Sequence, residues 1–137
     1  IEKARTIFMG KRIGIVGTRF TELHSSEWRS KLHEAIDSLP PDAEIVVNGA
    51  PGVDQEAATY ASGKGLKVTI LFPGDTYSDD PRYFVHRNGL VVENADELYA
   101  FWDDVSAGTL HAITIAKHAG IPCHVIHALD HDWQRFG

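Results

Sequence analysis

Five short apolar runs alternate with longer stretches of helical spacing, and that alternation limits this chain to a parallel sheet wrapped by helices. Arg12-Ile13-Gly14-Ile15-Val16-Gly17 is too brief for a helix, is rich in β-branched residues and ends in glycine, so it reads as a buried strand. From Ser25 or Ser26 to Leu39, the residues Trp28, Leu32, Ile36 and Leu39 fall at helical intervals, and Pro40-Pro41 ends the helix. A strand Glu44 to Val47 follows, then a helix Asp54 to Lys64 in which Ala57, Ala58 and Ala61 allow close packing, a stop at Gly65, and a strand Lys67 to Leu71. Arg82 to Glu93 reads as helix, Glu97 to Trp102 as the fourth strand, Leu110 to Ala119 as a helix stopped by Gly120, and Pro122 to Ile126 as the fifth strand. The expected fold is α/β: one Rossmann-like domain with a doubly wound, parallel, five-stranded sheet.

In such sheets ligands bind at the carboxyl ends of the strands, where the strand order reverses. Two turns of this chain suit that place. The run Leu98-Tyr99-Ala100-Phe101-Trp102 stops at Asp103-Asp104, and Ser106-Ala107-Gly108-Thr109 then leads into a helix. A turn of this kind leaves the first helical N–H groups without intrahelical partners, with the positive end of the macrodipole behind them, which is an arrangement that binds phosphate. Asn48-Gly49-Ala50-Pro51-Gly52-Val53-Asp54 follows the second strand in the same way, and Gly17-Thr18-Arg19 follows the first. All three turns are expected to share one cleft. The small residues Ala107 and Gly108 give a ligand oxygen room to reach the backbone, whereas Gly49 and Gly52 also suit a plain tight turn with positive φ.

Individual side chains sharpen the expectation. Asp54 either caps the helix it begins or binds a ribose hydroxyl. Arg87, next to Asn88, carries a guanidinium whose fork suits phosphate, although on spacing alone it belongs to a solvated helix face. Arg19 has a similar choice between ligand and surface. Trp102 is positioned to stack on a base, but core packing is the commoner fate of such a residue. His86 and His111 lie near the expected cleft, where an imidazole either serves as an acid or base or takes a partly exposed structural role. His124, His127 and His131, with Asp130 and Asp132, invite a metal reading that their spacing does not support, because residues three apart on a strand point to opposite faces. No metal and no obligatory cofactor are expected, only a nucleotide-type ligand.

Size and charge exclude other classes. The chain has 137 residues, enough for one core, with 43% hydrophobic and 23% charged residues, as in an ordinary globular domain. Residues 1–10 are set apart as an N-terminal extension, 11–128 as the binding domain and 129–137 as a C-terminal tail. A formal charge of −6 argues against a long DNA or RNA partner, since nonspecific affinity for polyanions comes mostly from Lys and Arg. No apolar run approaches the roughly 20 residues needed to span a bilayer. The single cysteine, Cys123, permits no internal disulfide and sits in an apolar run, so a reducing, cytoplasmic compartment is the natural reading. The irregular stretch Phe72 to Pro81 has the length of a lid or binding loop.

Together, Ile15-Val16-Gly17-Thr18-Arg19, the Asn48–Asp54 turn with Ala57, the pair Arg87-Asn88, and Ala100-Phe101-Trp102-Asp103 followed by Ser106–Thr109 resemble, in this order, the SLOG superfamily of Rossmann-like proteins. The similarity is greatest to its YspA and YpsA-related branch, and it covers nearly all of the chain from Arg12 to Ile126. It implies binding of a nucleotide or nucleotide-derived, including NAD-derived, small molecule. Related domains commonly assemble, and small helices leave apolar faces uncovered, so a homodimer is also implied. Other relatives are a DNA-processing protein and the Lonely Guy phosphoribohydrolases. The latter cleave a base from a nucleoside monophosphate with an arginine and a glutamate in a Pro-Gly-Gly-x-Gly-Thr-x-x-Glu motif. Laid on this chain, the Gly-Thr falls on Gly108-Thr109, the arginine on Arg87 and the glutamate on Ala112, which cannot exchange a proton. The resemblance therefore implies binding first and N-glycosidase activity as the alternative, with Arg87 and Asp103 as the candidate catalytic residues.

Overall fold

The computed structural model describes residues 10–18, 27–72 and 81–127. Five strands and four helices alternate among them. The order is β1 (Arg12–Gly17), α1 (Glu27–Asp37), β2 (Glu44–Val47), α2 (Val53–Gly63), β3 (Lys67–Ile70), α3 (Pro81–Glu93), β4 (Glu97–Phe101), α4 (Ala107–Ala119) and β5 (Cys123–Ile126). All strands are parallel in the order β3-β2-β1-β4-β5. The expected doubly wound sheet is therefore present, and every strand boundary falls within one residue of its expected place.

Alternation of side chains along the strands divides the core into two layers. Ile13 and Ile15 of β1, with Ile45 and Val47 of β2, bury against α1 and α2. Val16, Val46, Leu98 and Ala100 point the other way, against α3 and α4. Helix α1 docks through Trp28, Leu32 and Ile36, spaced one helical turn apart and all buried. Burying each contributes about 1.5–3 kcal/mol, more than the propensity of an 11-residue helix supplies. In α2 the matching stripe is Val53, Ala57 and Ala61, whose small side chains let that helix lie close to the sheet. The closest approach is at the end of β1, where a Cβ on Gly17 would stand 2.7 Å from Val53. Only glycine fits there.

Two helices start earlier than expected. Helix α4 begins at Ala107 rather than Leu110: Ser106 takes an extended conformation as N-cap, and Leu110 N–H closes the first turn onto Ser106 C=O at 3.1 Å. That turn is Ala-Gly-Thr and carries no apolar stripe to announce it. Helix α2 likewise starts at Val53, capped by Gly52. Arg19, the expected start of α1 at Ser25 or Ser26, the stretch 73–80, the extension before Gly10, and His131 with its neighbouring aspartates lie outside the described residues. No helix among those described is long and apolar enough to cross a membrane.

Candidate functional site

The strand order reverses between β1 and β4. Gly17 is in register with Phe101, so the chain leaves both strands at the same level. From β1 it runs towards α1 and α2 on one face, and from β4 it turns into α4 on the other. Thr18, 2% exposed, directly follows β1. Its carbonyl accepts the Val53 N–H at 3.2 Å, which ties the start of α2 to the end of β1. The starts of α2 and α4 thus flank one strand pair from opposite faces. Neither receives a capping hydrogen bond from its N-cap side chain: Gly52 has none to give, and Ser106 Oγ lies instead 3.2 Å from Thr109 Oγ1.

The turn after β2 is built around Asn48. Gly49 reverses the chain at φ +103°, where an added Cβ would also meet the Ile70 side chain at 2.8 Å. This folds the turn back over Asp54, whose Oδ2 accepts the backbone N–H of Asn48 at 3.0 Å and of Gly49 at 3.3 Å. From the far face of the sheet, Arg87 donates through Nη2 to the Asn48 carbonyl at 3.1 Å while its guanidinium lies 4.4 Å over the Phe72 ring. Asn88 accepts the Asn48 side-chain N–H through Oδ1. Asn48 is therefore held by its N–H, its C=O and its side chain at once. Burial pushes the Asp54 carboxyl up to about 7, against the opposing pull of the N–H groups of Asn48, Gly49 and Ala50 and of the Arg87 charge.

Asp54 accordingly neither caps its own helix nor is open to a ribose; at 2% exposure it pins the preceding turn. Arg87, 5% exposed, does not belong to a solvated helix face. Asn48, Phe72 and the contacts joining them to Arg87 and Asn88 are what the sequence reading missed. An Asn-Gly step after a strand was a local signal for the turn, but nothing local connects residue 48 with residue 87.

The turn after β4 is equally organised. Asp103, 5% exposed, accepts the N–H groups of Val105 and Ser106 through Oδ1 at 3.0 and 2.7 Å. Trp102 Nε1 donates to the Ser106 carbonyl at 3.1 Å. Asp104 takes a left-handed φ of +68° and pairs with His127 at 2.8 Å. These contacts aim the start of α4, with Ala107, Gly108 and the buried Thr109 in its first turn. Ala112 lies fully buried among Val16, Val46 and Val91 rather than at the cleft. His124 bonds to Glu97 at 2.7 Å, so it and His127 serve different carboxylates. Burial raises the Cys123 thiol above its ordinary range.

No family model matches the chain, and no curated protein matches it either. Solved structures do. The X-ray structure of DNA processing protein A from Streptococcus pneumoniae superimposes with a TM-score of 0.69 at 16% identity, over 84% of this chain and 50% of that one. DNA processing protein A from Helicobacter pylori, solved to describe its single-stranded DNA binding mode, superimposes with a TM-score of 0.61 at 18% identity, over 93% of this chain and 72% of that one. The chain thus spans half the length of the first of these proteins. The likeness shows a shared Rossmann-like fold. It also corrects the expectation that a nucleic acid partner is unlikely, because a protein of this fold binds single-stranded DNA. Net charge is a sum over the whole surface, whereas a strand is held by local groups, and N–H groups at a helix start carry positive potential that a count of Lys and Arg omits.

Proposed function

We propose that this chain binds the phosphate of a nucleotide, free or within a single strand, in the crevice at the carboxyl ends of β1 and β4. The observation that carries this reading is the pair of helix starts, α2 at Gly52–Asp54 and α4 at Ser106–Thr109, on opposite faces of the β1–β4 strand pair and without a capping side chain at either. Helical N–H groups in the first turn have no intrahelical acceptor, and the macrodipole behind each start adds positive potential there. In this reading Gly17, Thr18, Gly49, Ala50, Gly52, Ser106, Ala107, Gly108 and Thr109 form the phosphate cradle. Asp54, Arg87 and Asn88 act through Asn48 as positioning residues. The motifs shared with the SLOG superfamily, nearest its YspA branch, support the same ligand class, and the fold likeness to DNA processing protein A is in keeping with it.

No base-cleaving step is assigned. The position of the phosphoribohydrolase glutamate is the buried Ala112, and Asp103 Oδ1 is engaged by two backbone N–H groups. The test is equilibrium binding of nucleoside monophosphates, inorganic phosphate and a single-stranded oligonucleotide to the wild type and to Gly108→Asp. That substitution places a carboxylate at the start of α4. Saturable binding of a phosphate-bearing probe that weakens about tenfold or more in the variant, with an unchanged unfolding midpoint, is expected from repulsion at that site. Equal binding by both proteins overturns the reading.

A further inference from the structure

Beside the start of α2 a cleft of about 250 Å³ opens towards α1, lined by Trp28, Arg29, Gly52, Gln55, Glu56 and Thr59. Gly52, Gln55, Glu56 and Thr59 form one face of α2, spaced at three, four and seven residues, so the cleft begins at the N-cap of the proposed phosphate cradle and runs along the helix. Its most restrained polar group is a carboxylate. Glu56 Oε2 bonds to His33 Nε2 at 2.7 Å, and the His33 ring is stacked on Tyr60 at 3.7 Å with an interplanar angle of 5°. From the other side Arg29 approaches Glu56 Oε1 at 3.6 Å, its guanidinium 5.1 Å from the Trp28 ring.

Resting on the phosphate reading above, we infer that this cleft holds the ribose of the nucleotide, with Glu56 accepting hydrogen bonds from its 2′- and 3′-hydroxyls. The chemistry of the lining selects a sugar over a base. Trp28 is 3% exposed and offers no open ring face for stacking, while Gln55, Glu56 and Thr59 offer donors and acceptors. The volume falls below the roughly 300–1,000 Å³ of sites for drug-sized ligands, which suits a single sugar. A carboxylate with two acceptor oxygens matches vicinal hydroxyls, and bonds to an ionised acceptor are the strong ones. Held by His33 and Arg29, Glu56 meets the sugar without first losing rotamer freedom, and Arg29 offsets its repulsion of the neighbouring phosphate. The ligand class is therefore a ribonucleotide in preference to a deoxynucleotide.

The experiment measures binding of AMP, GMP, CMP and UMP beside their 2′,3′-dideoxy counterparts and inorganic phosphate, by calorimetry, to the wild type, Glu56→Gln and Glu56→Ala. At least one ribonucleotide is expected to bind about tenfold more tightly than its dideoxy form to the wild type, and Glu56→Ala is expected to reduce that ratio to about two. Glu56→Gln, which keeps an acceptor but loses the charge, is expected to fall between. The wild-type comparison needs no variant to fold. Equal binding of ribo and dideoxy forms overturns the sugar assignment and leaves the phosphate reading standing. A preference for ribose that survives Glu56→Ala overturns the role of Glu56. No binding of any nucleotide or of phosphate overturns both.

Discussion

Arg87 donates to the Asn48 carbonyl at 3.1 Å, and through that bond a helix on one face of the sheet holds the turn that starts a helix on the other. The guanidinium is buried, stacked on Phe72 and within the field of the buried Asp54 carboxyl. A solvated arginine would do none of this. The turn after β2 is therefore shaped before any ligand arrives, which is the condition for a backbone cradle to bind without paying for its own ordering.

Removing this arginine should affect the turn more than the sheet. Arg87→Ala leaves the Asn48 carbonyl and Asp54 without their cationic neighbour, and a destabilisation of about 2–3 kcal/mol is expected for a buried polar group deprived of its partner. Urea unfolding measures it. Arg87→Lys keeps the charge but cannot reproduce the planar stack on Phe72 together with the bond to Asn48, so it should recover only part of the loss. Full recovery by lysine would show that charge alone matters.

The buried Asp54 makes stability depend on pH in an unusual direction. Its folded-state value is raised to about 7, above the ordinary value of 3.8, so between those values the folded chain holds a proton that the unfolded chain releases. Its contribution is then fully present below about pH 4, declines as pH rises, and is lost once pH passes about 7. Asp54→Asn cannot titrate. The difference in unfolding free energy between wild type and variant should shift against the wild type from pH 5 to pH 7.5 and level off above, as followed by urea titration at half-unit steps. A pH-independent difference would mean that the carboxylate stays ionised throughout.

Gly17 and Val53 form a steric pair. A Cβ at position 17 would stand 2.7 Å from Val53 Cβ, too close for either side to accommodate in place. Gly17→Ala should cost about 1–3 kcal/mol, in the range of overpacked cores, and should push the start of α2 away from Thr18. Adding Val53→Ala removes the Cγ atoms in the clash and should restore part of that loss, giving a favourable coupling energy in a double-mutant cycle followed by thermal unfolding. Additive effects would place the strain elsewhere.

The sheet was legible because the strands are short apolar runs, most of them set off by nearby glycine or proline, and helices such as α1 carry a one-turn stripe, as with Trp28, Leu32 and Ile36. Local composition suffices for that. The start of α4 was misplaced by three residues because Ala107, Gly108 and Thr109 bury too little apolar surface to extend the stripe. The roles of Asp54 and Arg87 were out of reach for a different reason. Both act on Asn48, one across a turn whose shape depends on the positive φ of Gly49, the other from a helix 39 residues further along the chain. Charge counting was a poor ground for setting nucleic acid aside, since a sum over 137 residues says nothing about where potential is concentrated.

The most direct test of the account is a titration of the isotopically labelled protein with a nucleoside monophosphate, followed through its backbone amide resonances. Saturable shifts shared by Ala107, Gly108 and Thr109 and by Gly52, Val53 and Asp54, with β5 and the end of α1 unmoved, are the predicted result. Saturable shifts that leave both helix starts untouched, or no shift at any of these amides up to millimolar nucleotide, would contradict it.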